Sequence, residues 1–115
     1  MTANNARKVT GLDIRDLGAG TWAAFNEGNQ KLAEATHRKP SIALTLLVNK
    51  VYAIRCAEVD ERDGGKCVYC GSRRMLSHHH KIHRSKGRDD RTTNIETVCQ
   101  ACHDKQHQKK RSILL

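Results

Sequence analysis

Aromatic side chains are scarce in this chain: one Trp, one Phe and two Tyr, 3% of 115 residues. With 37% hydrophobic residues in all, such a composition supports only a small apolar core, and small domains usually need a staple such as a metal. Long apolar runs are absent too. The most apolar stretch, residues 42–54, contains Asn49 and Lys50, so it is too short and too polar to span a bilayer and reads as a buried helix. The first twenty residues lack the apolar segment of a secretory signal, so the cysteines are expected in a reducing compartment, where paired Cys-x-x-Cys units favour a metal over disulfides. There is no internal repeat, and the only biased tract is a run of three histidines. Acidic residues are outnumbered, 12 against 21 Lys and Arg, for a net charge of +9.

That charge is unevenly spread. Residues 1–61 carry eight Lys/Arg against seven Asp/Glu, whereas residues 62–115 carry thirteen against five. A positive field confined to one half attracts a polyanion, of which nucleic acid is the commonest.

Taken in order, residues 1–20 form a polar mixture broken by Gly11, Gly18 and Gly20, and are expected to be a flexible arm. A helical region is expected over 21–60. Thr21 can cap a first helix running from Trp22 toward His37, weakened by Gly28. After Pro40 a stronger helix should run from Ser41 to Asp60, with Leu44, Leu47, Val48, Val51 and Ile54 near i, i+3, i+4 spacing. Ile42, Leu46, Tyr52 and Ala53 make it apolar on more than one face, so it either packs on two sides of its own chain or serves a homodimer. Asp63-Gly64-Gly65 ends it. Cys56 stands alone and reads as a small buried side chain.

Residues 61–115 hold the chemistry. Cys67 and Cys70 form one Cys-x-x-Cys pair and Cys99 and Cys102 another, the donor set of a closed tetrahedral zinc site. The pairs stand 28 residues apart, longer than the roughly 15–20 of a simple zinc ribbon, so something is inserted between them. The insert contains His78, His79, His80 and His83. A strand over Leu76 to Ile82 would place His78 and His80 on one face and His79 on the other. Asn94 to Val98 reads as a second strand, and His103 and His107 share a face on a helix beginning at the second knuckle. Two imidazoles from that helix and one from a strand would leave coordination positions open, as a catalytic metal requires.

Cys67 to Gly71, His79-His80, His83-Arg84-Ser85-Lys86-Gly87, Asn94 and Cys99 to His103 together resemble the HNH endonuclease family over roughly residues 61–107. The resemblance implies an α+β fold: N-terminal helices followed by a zinc-stapled ββα-metal core with a basic C-terminal tail. It implies His80 as the general base, Asn94 as the residue that ties loop to strand and orients that base, and His79, His103 and His107 as ligands of a catalytic divalent metal, Mg²⁺, Mn²⁺, Ni²⁺ or Zn²⁺. The structural Zn²⁺ would sit on the four cysteines, remote from the chemistry. DNA is the implied partner, met by Arg84, Lys86, Arg88, Arg91 and Lys105, with Lys109, Lys110 and Arg111 beyond the last helix. No membrane is involved, and the setting would be the cytoplasm of a bacterial or phage-infected cell. Two departures stand out. His83 occupies the position of a usual Pro, and Arg88 that of a second Gly. The extra His78 leaves the register His78-His79 open, though spacing to the following turn favours His79-His80. The implied function is metal-dependent DNA cleavage by nicking or low-specificity double-strand cutting. Its rival is a non-catalytic zinc-stapled module that binds nucleic acid.

Overall fold

A computed structural model describes residues 1–105 of the chain. Its order is α1 (Ala3–Thr10), β1 (Asp13–Gly18), β2 (Thr21–Phe25), β3 (Lys31–Thr36), α2 (Pro40–Asp63), β4 (Leu76–His80), β5 (Ile95–Cys99) and a last helix, α3, described over residues 100–105. This is an α+β fold with two separate antiparallel sheets, β1-β2-β3 and β4-β5. No helix among the described residues is long and apolar enough to cross a membrane.

The first 37 residues depart from expectation. Residues 1–20 are no loose arm but a capped helix and a strand. Thr2 accepts from the Asn5 amide at 3.1 Å to start α1, and Gly11 ends it in the left-handed conformation at φ 69°. Gly18 (φ 86°), Ala19 (φ 52°) and Gly20 (φ 76°) then turn β1 into β2. The glycines that look like breakers are the joints of an ordered unit.

Residues 21–37 are a β-hairpin, not a helix. Ile14, Ala24 and Ala33 lie opposite one another across the sheet, as do Trp22 and Ala35, and all five belong to or pack on the core cluster. The alternation is real, but alanine carries little β-propensity and hides it. Asn26 closes the hairpin through its amide to the Gln30 carbonyl (3.0 Å) and its Oδ1 to the Gln30 amide (2.9 Å). Small side chains serve a packing purpose, because Ala23 and Ala24 are both fully buried in a thin sheet laid against α2.

Helix α2 is the spine. Pro40 sits in its first turn, where no amide donor is needed, and Gly64 closes it at φ 69° with its N–H on the Asp60 carbonyl. Leu44, Leu47, Val48 and Val51 join Ala6, Val9, Ile14, Ala24 and Ala35 in one buried cluster. Every member comes from residues 6–51, so the principal core belongs to the N-terminal half. The two-sided packing of α2 occurs within the chain, but against a sheet and α1 rather than a second long helix.

Its last turns hold the C-terminal half. Val59 on α2 is fully buried, as are Ile95 and Val98 on β5. The outer edge of β5 would otherwise present unpaired backbone groups. Asp63 Oδ2 accepts from the Thr97 amide (3.1 Å), and Arg62 donates to the carbonyls of Ile95 (2.7 Å) and Thr92 (2.8 Å). The Arg62 guanidinium beside Asp63, helped by the Thr97 amide and opposed by burial, holds this carboxyl well below the usual range, at about 2. Because the folded value lies below the unfolded one, the stabilisation is complete above about pH 4 and is lost as pH falls through about 2. Asp63→Asn should cost about 2 kcal/mol in urea melts at neutral pH. It should also flatten the pH dependence of stability between those limits; an unchanged acid limb would refute the clamp.

Candidate active site

The two knuckles meet at one point. The four cysteine Sγ atoms lie within 4.8 Å of one another, with Cys70 and Cys99 at 3.6 Å. Four sulfurs at ~2.3 Å from a tetrahedral zinc stand roughly 3.8 Å apart, so the cluster fits that ion. Backbone sets it up: the Cys67 amide donates to Ser72 (2.8 Å), the Gly71 amide to Cys67 (2.9 Å), and the Val68 amide to Thr97 on β5 (3.0 Å). Burial pushes the Cys67 thiol up, but amides of Cys99, Cys70 and Tyr69 and the Cys70 thiol outweigh it and bring it down to about 6. Hydrogen bonding with Cys99, then burial and the other thiols, holds Cys102 up at about 12.

Strand β4 spaces the histidines alternately, as its pleat requires. His79 lies opposite Glu96 and His80 opposite Ile95. His79 Nδ1 is 3.3 Å from Glu96 Oε1, which also accepts from the Tyr69 hydroxyl at 2.6 Å. The ring of His103, on α3, meets that of His79 edge-on with centroids 5.3 Å apart. His78 and His80 turn toward α2 instead. His78 Nε2 lies 2.7 Å from Asp60 Oδ1, and His80 stacks on Tyr52 with centroids 5.7 Å apart and planes 14° from parallel. His80 Nε2 is 2.8 Å from Oδ1 of Asp90, which is fully buried. Tyr52, His78, His79, His80, His83, Arg84 and His103 line one cleft of about 360 Å³.

Asn94 is buried and bonded at three points. Its Oδ1 accepts from the Ile82 amide (2.9 Å), its Nδ2 donates to the Asp89 carbonyl (2.8 Å), and its own carbonyl accepts from Lys81 (2.8 Å). It ties the end of β4 to the loop that carries Asp90. Asn94→Ala should destabilise the fold by about 1–3 kcal/mol, since it strands a buried amide and carbonyl. Hydrogen exchange should show the loss concentrated in residues 81–94; protection there as in the parent would contradict it.

The cationic residues divide by environment. The Arg84 guanidinium lies over the Tyr52 ring at 5.2 Å, on the cleft wall. Arg88 is engaged with Asp90, its Nε 3.1 Å from both oxygens and its terminal nitrogen 2.8 Å from Oδ2. Arg91 pairs with Asp89 at 3.4 Å and packs so closely over Gly11 that a Cβ there would stand 2.4 Å from its Nε. Lys86 ends a single 3-10 turn, and Lys105 is on α3. His107, Lys109, Lys110 and Arg111 lie outside the described residues.

Several residues at the site carried no motif. Tyr52, Cys56 and Asp60 recur every four positions along α2, so one helical face meets the histidines. Burial and a hydrogen bond to the Cys56 thiol push the Tyr52 hydroxyl up, and burial foremost pushes Cys56 up in turn. Asp90 and Glu96 are likewise partners that only the folded chain supplies; the strand register could have pointed to Glu96, opposite His79.

Residues 67–109 match the family model described as HNH endonuclease. No curated protein and no solved structure matches the chain. The matched stretch begins at the first knuckle and contains all four clustered cysteines, so residues 67–109 carry the likeness to an HNH endonuclease domain.

Proposed function

We propose that this protein is a metal-dependent DNA endonuclease in which His80 is the general base. The observation that carries the reading is the convergence of His79, His80 and His103 on one cleft beside a cysteine-stapled hairpin, with Arg84 on its wall. Binding a polyanion needs charge alone. A buried imidazole held beside a carboxylate suits proton transfer, and a positioned base typically contributes about 10²–10⁴-fold. His79 and His103, with His107, would hold the divalent ion; imidazole donors suit Zn²⁺, Ni²⁺ or Mn²⁺, and Mg²⁺ if oxygens complete the shell. When bound, that ion supplies Lewis-acid stabilisation of charge developing on the phosphoryl group and leaving oxygen.

His80 takes a proton from water, the water oxygen attacks phosphorus, and the bond to the 3′-oxygen breaks, giving 5′-phosphate and 3′-hydroxyl ends. Asn94 keeps the end of β4 and the loop in register around the base. Arg84, Lys86 and Lys105 meet backbone phosphates, while Arg88 and Arg91 contribute chiefly by ordering the loop through Asp90 and Asp89. Contacts of this kind carry no sequence information, which favours nicking or cleavage of low specificity.

The test is plasmid cleavage by EDTA-treated protein with Mg²⁺, Mn²⁺, Ni²⁺ or Zn²⁺ restored singly. Nicked or linear product that appears only with an added ion is expected. A protein that shifts DNA at low salt yet leaves the plasmid supercoiled with every ion would instead be a non-catalytic binding module.

A further inference from the structure

We infer that Asp90 is the positioning residue of the cleavage reaction: it holds the proton of His80 on Nε2 and thereby makes Nδ1 the nitrogen that accepts a proton from water. The inference rests on the reading of His80 as general base and adds which atom acts and what selects it.

Asp90 is built into the fold more firmly than a surface loop residue. It is fully buried, its amide donates to the Val9 carbonyl at the end of α1 (2.8 Å), and the preceding carbonyl is held by Asn94 (2.8 Å). Arg88 donates to both of its oxygens. Both oxygens are therefore acceptors of an ionised carboxylate, and the hydrogen between Asp90 Oδ1 and His80 Nε2, 2.8 Å apart, belongs to the imidazole. A neutral imidazole protonated on Nε2 has its lone pair on Nδ1.

Nδ1 is placed to use it. It has no hydrogen-bond partner among the described residues. The buried side-chain polar atom left unpartnered among those residues is Thr97 Oγ1, so Nδ1 of His80 is open to solvent from a ring that lines the cleft. Tyr52 stacks on the ring and fixes its plane, while the Asp90 bond fixes its rotation within that plane. As Nδ1 takes the proton of water, the imidazole becomes a cation facing the Asp90 carboxylate, and the 3′-oxygen leaves with the electron pair of its bond to phosphorus and takes a proton from solvent. Stabilising that cation and selecting the tautomer are what a buried carboxylate behind a histidine base can do.

The test combines a spectrum and a rate. Long-range proton–nitrogen correlation on the full chain labelled with ¹⁵N-histidine, with His80 identified by the signals missing in His80→Ala, should show Nε2 protonated and Nδ1 unprotonated. Asp90→Asn keeps the shape but offers an amide that can present either oxygen or N–H. It should shift the tautomer and lower single-turnover cleavage at least about 10²-fold, with Kd for DNA, measured without added divalent ion, within twofold. A proton found on Nδ1 in the unsubstituted protein would overturn the inference, and that reading does not depend on how any variant folds. So would Asp90→Asn cleaving within a few-fold of the parent while His80→Ala is inactive. Unimpaired cleavage by His80→Ala would instead remove the base assignment itself.

Discussion

Replacing Cys99 with serine is expected to unfold the C-terminal half while leaving the N-terminal half standing. The reason lies in where the apolar core is. The buried cluster runs from Ala6 to Val51, and none of its members comes from β4, β5 or the knuckles. The C-terminal half buries Ile95 and Val98 together with Cys67 and Cys99, both of which belong to the four-sulfur cluster. A two-stranded hairpin with so small a core is marginal alone. Structural zinc contributes about 10–16 kcal/mol of apparent binding energy in peptides of zinc-finger size, far above what this hairpin can supply by burial. Trp22, the only tryptophan, sits against the N-terminal cluster and reports on that half alone. Its fluorescence should persist in Cys99→Ser, or after exhaustive chelation, while amides of residues 76–99 lose protection from exchange and cleavage disappears. Loss of both signals in one transition would show that Arg62, Asp63 and Val59 couple the halves more tightly than the metal divides them.

His80→Ala should abolish cleavage and spare binding. Removing a positioned base costs about 10²–10⁴-fold, enough to push single-turnover cleavage below detection in an ordinary plasmid assay. Binding should survive, because phosphate affinity comes from Lys and Arg and falls with salt whether or not an imidazole is present. Truncation leaves Tyr52 without its stacking partner and Asp90 with Arg88 as its counter-charge, so the buried carboxylate stays paired and the fold should hold. A gel shift with the parent's salt dependence, beside a plasmid left supercoiled, is the expected pair of results. Cleavage at the parental rate would move the base elsewhere, and His78, beside Asp60 on the same face of β4, would be the next residue to replace.

The chemistry of this chain is written locally. A turn brings Cys67 and Cys70 to one side and the first turn of α3 does the same for Cys99 and Cys102, while His79 and His80 take opposite faces of a strand through its pleat. These relations need only a few bonds of chain, so residue order alone determined each Cys-x-x-Cys pair, the α2 spine with its Gly64 cap, and the alternation of the histidines along β4. The first 37 residues were illegible for the opposite reason. Alanine at positions 23, 24, 33 and 35 satisfies a helix by propensity, and it becomes strand only because a thin sheet must lie close against α2. The partners of the histidines were decided by tertiary structure alone. Asp60 and Tyr52 reach the β4 histidines from positions at least 18 residues earlier in the chain, and Asp90 reaches His80 because Val9 and Asn94 hold its loop in place. Such contacts depend on packing between elements rather than on spacing within one, so tertiary structure decides which carboxylate stands behind which imidazole.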